Sequence, residues 1–563
     1  MSALRLRYLR AVSASPAVGP EEMTEKGQMS ILTAVRAAFA LLWMMGQARA
    51  QQAAPTGSAT ASAPDQQPRL FDINEFRVEG STQLSAREVE TAVYPYLGPA
   101  RVLEDVERAR AALEKAYTEK GFQSVSVAIP PQTVRDGVVL LKVTEATVGR
   151  LRVRGARWFS PRDVKQQAPS VAEGTVPNFD DIARDIVILN QIPDRRVTPT
   201  LRAGARPGTV DVDLTVQDAL PLHGSAELNN RHGRYTTPLR LSGSLRYDNF
   251  WQLGHSLGFS YQLAPSRAPD GRVFTASYLA RFPRLPWLTL SANYLDQNSD
   301  ISTVGGINVA GTGQIAGLRA AFTLPGSSTF FHTLNAGFDY KRFGQLIRLE
   351  EVASSTPLTT WPISAMYSAI FSREASETLF TAGLTFNLRS LSSPMSRFEE
   401  RRFNSHGDFI YYRGELSRTN KLPFDFQLYA KAQGQYSADA LVSPDQFSAG
   451  GAESVRGYFD SEVVGDFGAA GTLELRGPTL TRWLGHWAND WRFHLFVDGA
   501  WLGIHDPLPE QQDRFRLWST GAGTRMRIFE HFSGELEVAV PMRSEGITRR
   551  HETRIHFRLV ALF

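Results

Sequence analysis

The stretch that decides the fold is "LRLSGSLRYDNFWQLGHSLGFSYQL", Leu239 to Leu263. Leu239, Leu241, Leu245 and Tyr247 alternate with Arg240, Ser242, Ser244 and Arg246. After the polar turn "DNFWQLGHS", Leu257, Phe259, Tyr261 and Leu263 alternate with Gly258, Ser260 and Gln262. A period of two is the signature of a strand with one apolar and one polar face. Each run covers about 9–11 residues, the length a tilted strand needs to cross a bilayer.

The pattern continues outward in both directions. Leu288, Leu290, Ala292 and Tyr294 alternate with Thr289, Ser291 and Asn293, and aromatic residues gather at segment ends, as in "RFPRLPWL". A soluble β-sandwich also alternates, but here the segments are long and numerous, and the polar positions carry Arg, Ser and Gln, which suit a wet interior. The chain ends on a strand pattern: Ile555, Phe557, Leu559, Ala561 and Phe563 against Arg554, His556 and Arg558. A last strand pairing with the first removes both sheet edges, which hydrocarbon demands. At roughly 20 residues per strand and loop, residues 220–563 predict an antiparallel membrane barrel of about 16 strands, an even number.

The 563-residue chain has a mean hydropathy of −0.24, and 21% of its residues are charged. No apolar run of helical membrane-spanning length follows the N-terminal region. A net charge of +4 gives no case for nucleic acid as a partner, and Cys 0 excludes disulfides and thiolate metal sites. The first 50 residues read as an export signal: "AAFALLWMMG", Ala37–Gly46, follows Arg36, and "ARA", Ala48–Ala50, fits small-x-small cleavage. Met1 and Met29 are both compatible starts, and the mature chain is expected to begin near Gln51. Residues 51–69 lack apolar periodicity and read as a disordered linker.

Between linker and barrel a pattern occurs twice. In residues 70–147, Phe76 and Val78 form a strand stopped by Gly80. Ser85-Ala-Arg-Glu88 is a capping box, and Val106, Ala109, Leu113, Ala116 and Tyr117 line one face of a helix ending at Gly121. Val125, Val127 and Ile129, then Val139, Leu141 and Val143, alternate as strands. In residues 148–219 "LRVRG", Leu151–Gly155, matches "FRVEG", Phe76–Gly80. Pro161 starts a helix, Ile182, Ile186 and Leu189 form a stripe, and "TVDVDLTV" repeats the last strand. The two modules resemble polypeptide-transport-associated (POTRA) domains, which sit in the periplasm before an outer-membrane barrel. A small sheet with a free edge can accept an extended client as an added strand; rigid spacers are the alternative.

One further stretch, "GGAESVRGYFDSEVVGDFG", Gly450–Gly468, is glycine-rich like a loop yet carries Val-Arg-Gly-Tyr. With the modules and the barrel pattern, it resembles the two-partner secretion transporters (the TpsB family of haemolysin secretion/activation proteins, within the wider superfamily of BamA-like barrels). The matching residues are Gly450, Gly451, Val455, Arg456, Gly457, Tyr458, Asp460, Gly465, Asp466 and Gly468, with "LELR", Leu473–Arg476, beginning the next strand. Asp460 stands where the family usually has Glu, and Phe467 where Arg is common.

The resemblance implies that the loop near 445–470 folds back into the lumen, with its arginine meeting an aspartate in a Phe-x-Asp pattern. Phe496 and Asp498 supply one in "FHLFVDGAW". The inward direction of Arg456 is the firmer expectation, Asp498 as its partner the finer one. An arginine fork on a carboxylate makes two parallel charge-assisted hydrogen bonds.

The resemblance further implies a location in the outer membrane of a Gram-negative bacterium, with the modules in the periplasm and outer-membrane lipid around the barrel. The partners implied are a TpsA-like secreted exoprotein, exported unfolded without ATP, and the barrel-assembly machinery, which reads the terminal Phe563. Rival readings are an insertase for other membrane proteins, whose relatives usually carry more such modules, and a passive porin. Some family members begin with a helix that plugs the pore, and "QQAAPTGSATASAP" is poor helix material.

No enzyme is expected, and no catalytic, cofactor or metal residue is assigned. "HETRIH", His551–His556, misses the HExxH zinc spacing, and on a strand its histidines would face opposite ways. "GTGQIAG" is one residue too long for a dinucleotide loop. No GxxxxGK[ST] phosphate loop or G-x-S-x-G elbow occurs.

Overall fold

The computed structural model describes residues 70–233, 236–298, 312–344, 346–349, 352–355, 357–485 and 487–563. The expected signal at 1–50 and linker at 51–69 lie outside the described residues. The chain divides into two units between Leu220 and Pro221.

In the first unit, β1 (Glu75–Glu79), α1 (Ala86–Val93), α2 (Leu103–Glu119), β2 (Val125–Ala128) and β3 (Val138–Glu145) follow one another. The sheet order is β1-β3-β2, with β1 parallel and β2 antiparallel to β3. Ser85 and Glu88 close the capping box at the start of α1 in both directions. Val106, Leu113 and Tyr117 of α2 are buried against Val125, Val127, Val139, Leu141 and Val143. Each such side chain contributes about 1.5–3 kcal/mol on leaving water.

The order then repeats as β4 (Thr147–Arg154), α3 (Pro161–Gln166), α4 (Phe179–Leu189), β5 (Arg195–Ala203) and β6 (Thr209–Asp218), with sheet order β4-β6-β5. The glycine that ends each first strand has the same steric cause. Gly80 (φ +87°) and Gly155 (φ +82°) sit where a Cβ would fall 2.3 Å from Val143 O and 2.4 Å from Val216 O. The modules are joined by Asn178, which caps α4 and donates to Lys120 O at 2.8 Å, and by Phe179 N, which donates to Gly121 O at 2.9 Å.

The second unit is a closed antiparallel barrel. Its staves are β7 (Leu222–Asn229), β8 (Arg240–Phe250), β9 (His255–Leu263), β10 (Arg272–Arg281), β11 (Leu288–Asn298), β12 (Thr312–Thr323) and β13 (Phe330–Gly344). They continue as β14 (Leu358–Thr360 and Pro362–Arg373), β15 (Ser376–Asn387), β16 (Ile410–Lys421), β17 (Gln427–Ser437), β18 (Phe467–Arg476), β19 (Ala488–Gly503), β20 (Arg514–Ile528), β21 (Phe532–Pro541) and β22 (Arg554–Leu562). Both parts of β14 pair with β13, so the wall has 16 staves, the expected number.

β22 closes the wall on β7, and Phe563 exchanges backbone hydrogen bonds with Gly224 at 2.7 and 3.0 Å. Leu241, Leu245, Phe259, Tyr261, Leu290 and Tyr294 stay exposed on the outer face, the apolar band that lipid requires. Trp251, Trp287, Phe424, Trp483 and Phe529 are exposed in turns at the end where the chain enters the barrel, as an aromatic girdle. One expectation fails: His551 is not on a strand but in the turn before β22, at φ +66°, because the chain has still to reverse before Arg554.

The first module also contains a carboxylate fixed by its surroundings. Glu145, at the end of β3, accepts from Thr82 N at 2.7 Å, Gln83 N at 2.9 Å and Tyr117 Oη at 2.8 Å, and from the Thr82 hydroxyl. Burial works to raise its carboxyl, but these donors outweigh it and hold Glu145 below the usual range, while burial pushes the Tyr117 phenol up to about 12. A carboxyl lowered on folding stabilises the module above its ordinary value of 4.5 and loses that contribution as pH falls through the folded value. Amide protection at Thr82 and Gln83 should therefore drop below pH 4.5. Glu145→Gln should be loosened already at neutral pH and show no such step, since Glu88, held down to about 2 by its Lys120 hydrogen bond, is still charged there.

Candidate functional site

The segment between β17 and β18 is itself a hairpin. Phe447–Ala449 pairs with Val463–Gly465, and Gly450 and Gly451, at φ +115° and +89°, turn the chain into a tip. That tip lies against the inward positions of the wall. Val455, Arg456, Gly457 and Tyr458 are all buried, and Ala449, Val455, Tyr458 and Val463 pack with Leu502 and Leu517.

The Arg456 side chain lies against the inner wall. Its Nε donates to Asp498 Oδ2 and its Nη2 to Asp498 Oδ1, both at 2.8 Å, and its backbone N donates to Oδ2 at 3.1 Å. The guanidinium carbon stands 3.3 Å from the centroid of the Phe496 ring. Alternation on β19 explains the geometry: His494, Phe496 and Asp498 are buried inward while Leu495 and Val497 face out. The remaining nitrogen, Nη1, reaches Glu474 Oε2 on β18 at 3.1 Å and Glu537 Oε1 on β21 at 2.9 Å.

The anchor is thus a network, not a single pair. Arg525 donates to Glu474 at 2.6 Å, to Glu537 at 3.1 Å and to Glu535 at 2.5 Å, and Arg476 donates to Glu474 at 2.7 Å. His494 Nε2 donates to Glu537 at 2.9 Å, and His556 Nε2 donates to the Arg456 carbonyl at 2.5 Å. Glu474, His494 and Glu537 lie close enough to share one metal ion, but Arg456 and Arg525 engage those carboxylates.

The resemblance pointed to Asp498, and alternation on its strand put His494 and Phe496 on the same face; neither pointed to Glu474, Glu537 or Arg525 as partners of Arg456. The signal for the acids was alternation itself: Glu474 in "LELR" and Glu537 in "ELEV" stand opposite the outward Leu473, Leu475, Leu536 and Val538.

The other motif residues are placed as follows. The Tyr458 hydroxyl donates to Arg543 O at 2.7 Å. Asp460 is buried, with its carboxylate over Gly451, and its backbone N donates to His232 O at 3.1 Å. Asp466 forms a second fork, taking both Nη atoms of Arg402 at 2.5 Å together with Leu441 N and His505 N at 3.0 and 2.7 Å. Gly465 and Gly468 approach the β19 backbone so closely that a Cβ would lie 2.7 Å from Gly503 O and 2.6 Å from Trp501 O.

Removing one member of such a buried network leaves uncompensated charge and costs roughly 3–5 kcal/mol, although the assembled network can be worth little net. A guanidinium over an aromatic face adds up to about 2 kcal/mol when desolvated. Lysine could match the charge but neither the fork nor the stacking.

A family model described as haemolysin secretion/activation protein ShlB/FhaC/HecB matches residues 208–526, and one for a ShlB-type POTRA domain matches residues 71–146. The chain is 24% identical over 522 residues to the outer membrane transporter CdiB of Escherichia coli, spanning 90% of this chain and 85% of that one. It is 20% identical over 419 residues to the heme/hemopexin transporter protein HuxB of Haemophilus influenzae, spanning 72% of each. The solved structure of CdiB from Escherichia coli superposes with a TM-score of 0.61 at 20% identity, covering 94% of this chain and 98% of that one. BamA from Haemophilus ducreyi lacking POTRA domains 1–3 gives 0.53 at 14%, covering 88% and 100%. Both have the same fold.

Gly457 offers the most direct test of docking. A Cβ there would fall 2.7 Å from Ser519 Cβ and 2.9 Å from Pro541 N. Gly457→Ala should expel the tip without altering its charges. Limited proteolysis should leave residues 450–462 intact in the native protein and cut them in the variant.

Proposed function

Because the chain belongs to the haemolysin secretion/activation family ShlB/FhaC/HecB, we propose that it exports an unfolded partner exoprotein from periplasm to cell surface, as a two-partner, type V secretion translocator. The barrel lies in the outer membrane with the ShlB-type module in the periplasm. The observation that carries the proposal is the Arg456 tip, held in the lumen of a 16-stave barrel that follows such a module in the chain. Barrels of this size enclose an aqueous channel unless something fills it. The filling is held by charge and by the apolar cluster of Val455 and Tyr458 with Leu502 and Leu517, and a competing polar chain acts on the charged part.

In this reading the client adds as a strand to a module edge. β1 and β2 flank the first sheet, and β4 and β5 the second, so each sheet has two edges. The hydrated lumen is the path, and the Arg456 loop shapes or gates it. Energy comes from the client folding outside, with no nucleotide. The TpsA-like client is recognised in the periplasm, and Phe563 at the end of the wall is the residue read by the assembly machinery.

Two measurements test this. Arg456→Ala and Asp498→Ala should each lower secretion of the cognate exoprotein about tenfold or more, given the cost of an unpaired buried charge. Normal secretion by both variants, at normal barrel levels, removes the loop from the mechanism. Deleting residues 70–219 should abolish export while leaving ion conductance. A porin would be indifferent to the deletion, and an insertase would lose membrane-protein assembly instead.

A further inference from the structure

The wall has its shortest register where it closes. β22 and β7 register only over Arg558–Leu562 and Asn229–Ser225, the shortest register between neighbouring staves, whereas β7 pairs with β8 from Leu222 to Asn229. Arg558 reinforces this seam through a fork to Glu227 at 2.8 and 3.0 Å. Beyond the last rung, the Asn230 side chain takes over: it accepts from Phe557 N at 2.9 Å and donates to Ile555 O at 2.7 Å.

Above Asn230 the bridging passes to the tip of the 438–466 loop, on residues other than Arg456. On the β7 side, Glu453 accepts from Arg231 Nη1 at 2.5 Å, and Asp460 N donates to His232 O at 3.1 Å. The Phe459 ring stands edge-on to His232, centroids 5.3 Å apart, and the Arg554 guanidinium of β22 lies 3.4 Å from its centroid. On the β22 side, Glu462 accepts from Ile547 N at 2.9 Å and from Thr548 N and hydroxyl at 3.3 and 3.1 Å. One short peptide thus holds both ends of the wall.

We propose that Glu453, Phe459 and Glu462 are positioning residues that clasp the first stave to the last, so that the upper seam stays closed only while the loop is docked. The clasp uses residues other than Arg456, which itself meets β22 through the His556 contact to its carbonyl, and it is independent of what passes through the barrel.

Hydrogen exchange reads the open population of a seam directly. It should be measured on the full chain in lipid nanodiscs, over peptides covering 225–232 and 554–562, with the β8–β9 hairpin as internal reference. Phe459→Ala should speed exchange at the seam about tenfold, the loss expected of a desolvated cation–aromatic contact, and Glu453→Gln about threefold, the smaller loss expected of an ion pair whose carboxylate is half exposed, while both leave 240–263 unchanged. Phe459→Tyr, which keeps the ring, should retain protection. Arg456→Ala, which releases the whole tip, should also open the seam. The clasp is overturned if seam exchange in folded Phe459→Ala and Glu453→Gln matches the native protein, if it rises equally in the reference hairpin, or if Arg456→Ala alone opens it.

Discussion

A peptide group inside a bilayer has no water to bond with, and that constraint governs this molecule. It forces the strands of residues 222–562 to find partners within the chain until the last meets the first. Closure in turn creates an interior that lipid cannot enter. Side chains pointing inward are then free to be charged, provided they neutralise one another. The inward row Glu474, Asp498, Arg525 and Glu537 is affordable only for this reason, and it gives the Arg456 loop something to hold.

An ionic seat differs from a hydrophobic one in what it permits. The Phe496 ring and the Asp498 fork select a planar cation and fix its orientation. Yet the assembled network can be nearly neutral in net energy, while any single break in it is costly. The docked state is well defined in geometry, and the buried packing of Val455 and Tyr458 against Leu502 and Leu517 adds to what the ionic contacts hold.

Much of this was legible in the sequence, and physics accounts for the rest. A two-residue period survives in the text because every outward position must tolerate lipid, so the barrel, its staves and the inward face of β19 could be read directly. The repeated Gly80 and Gly155 were visible because the same carbonyl approach occurs twice. Asp498 was suggested by the family resemblance, whose Phe-x-Asp pattern falls within one strand. Glu537 and Arg525 were not, because the strands that carry them meet Arg456 only after the wall has curved round. Arg402, the partner of Asp466, lies on a different loop and leaves no mark in local spacing. His551 was misplaced for a similar reason: alternation does not announce where a turn ends.

The joint between the two modules has a mechanical consequence. Asn178 uses its oxygen to cap α4, through the amides of Asp180 and Asp181, and its nitrogen to grip Lys120 O at the end of α2. Gly121 leaves no slack, since a methyl there would sit 2.6 Å from the same oxygen. Bending the joint strips a helix of its cap, a penalty of about 1 kcal/mol before any apolar surface is exposed. The two modules therefore share one side chain at their joint, so a change in the angle between them is coupled to the start of α4 instead of being left to a free tether.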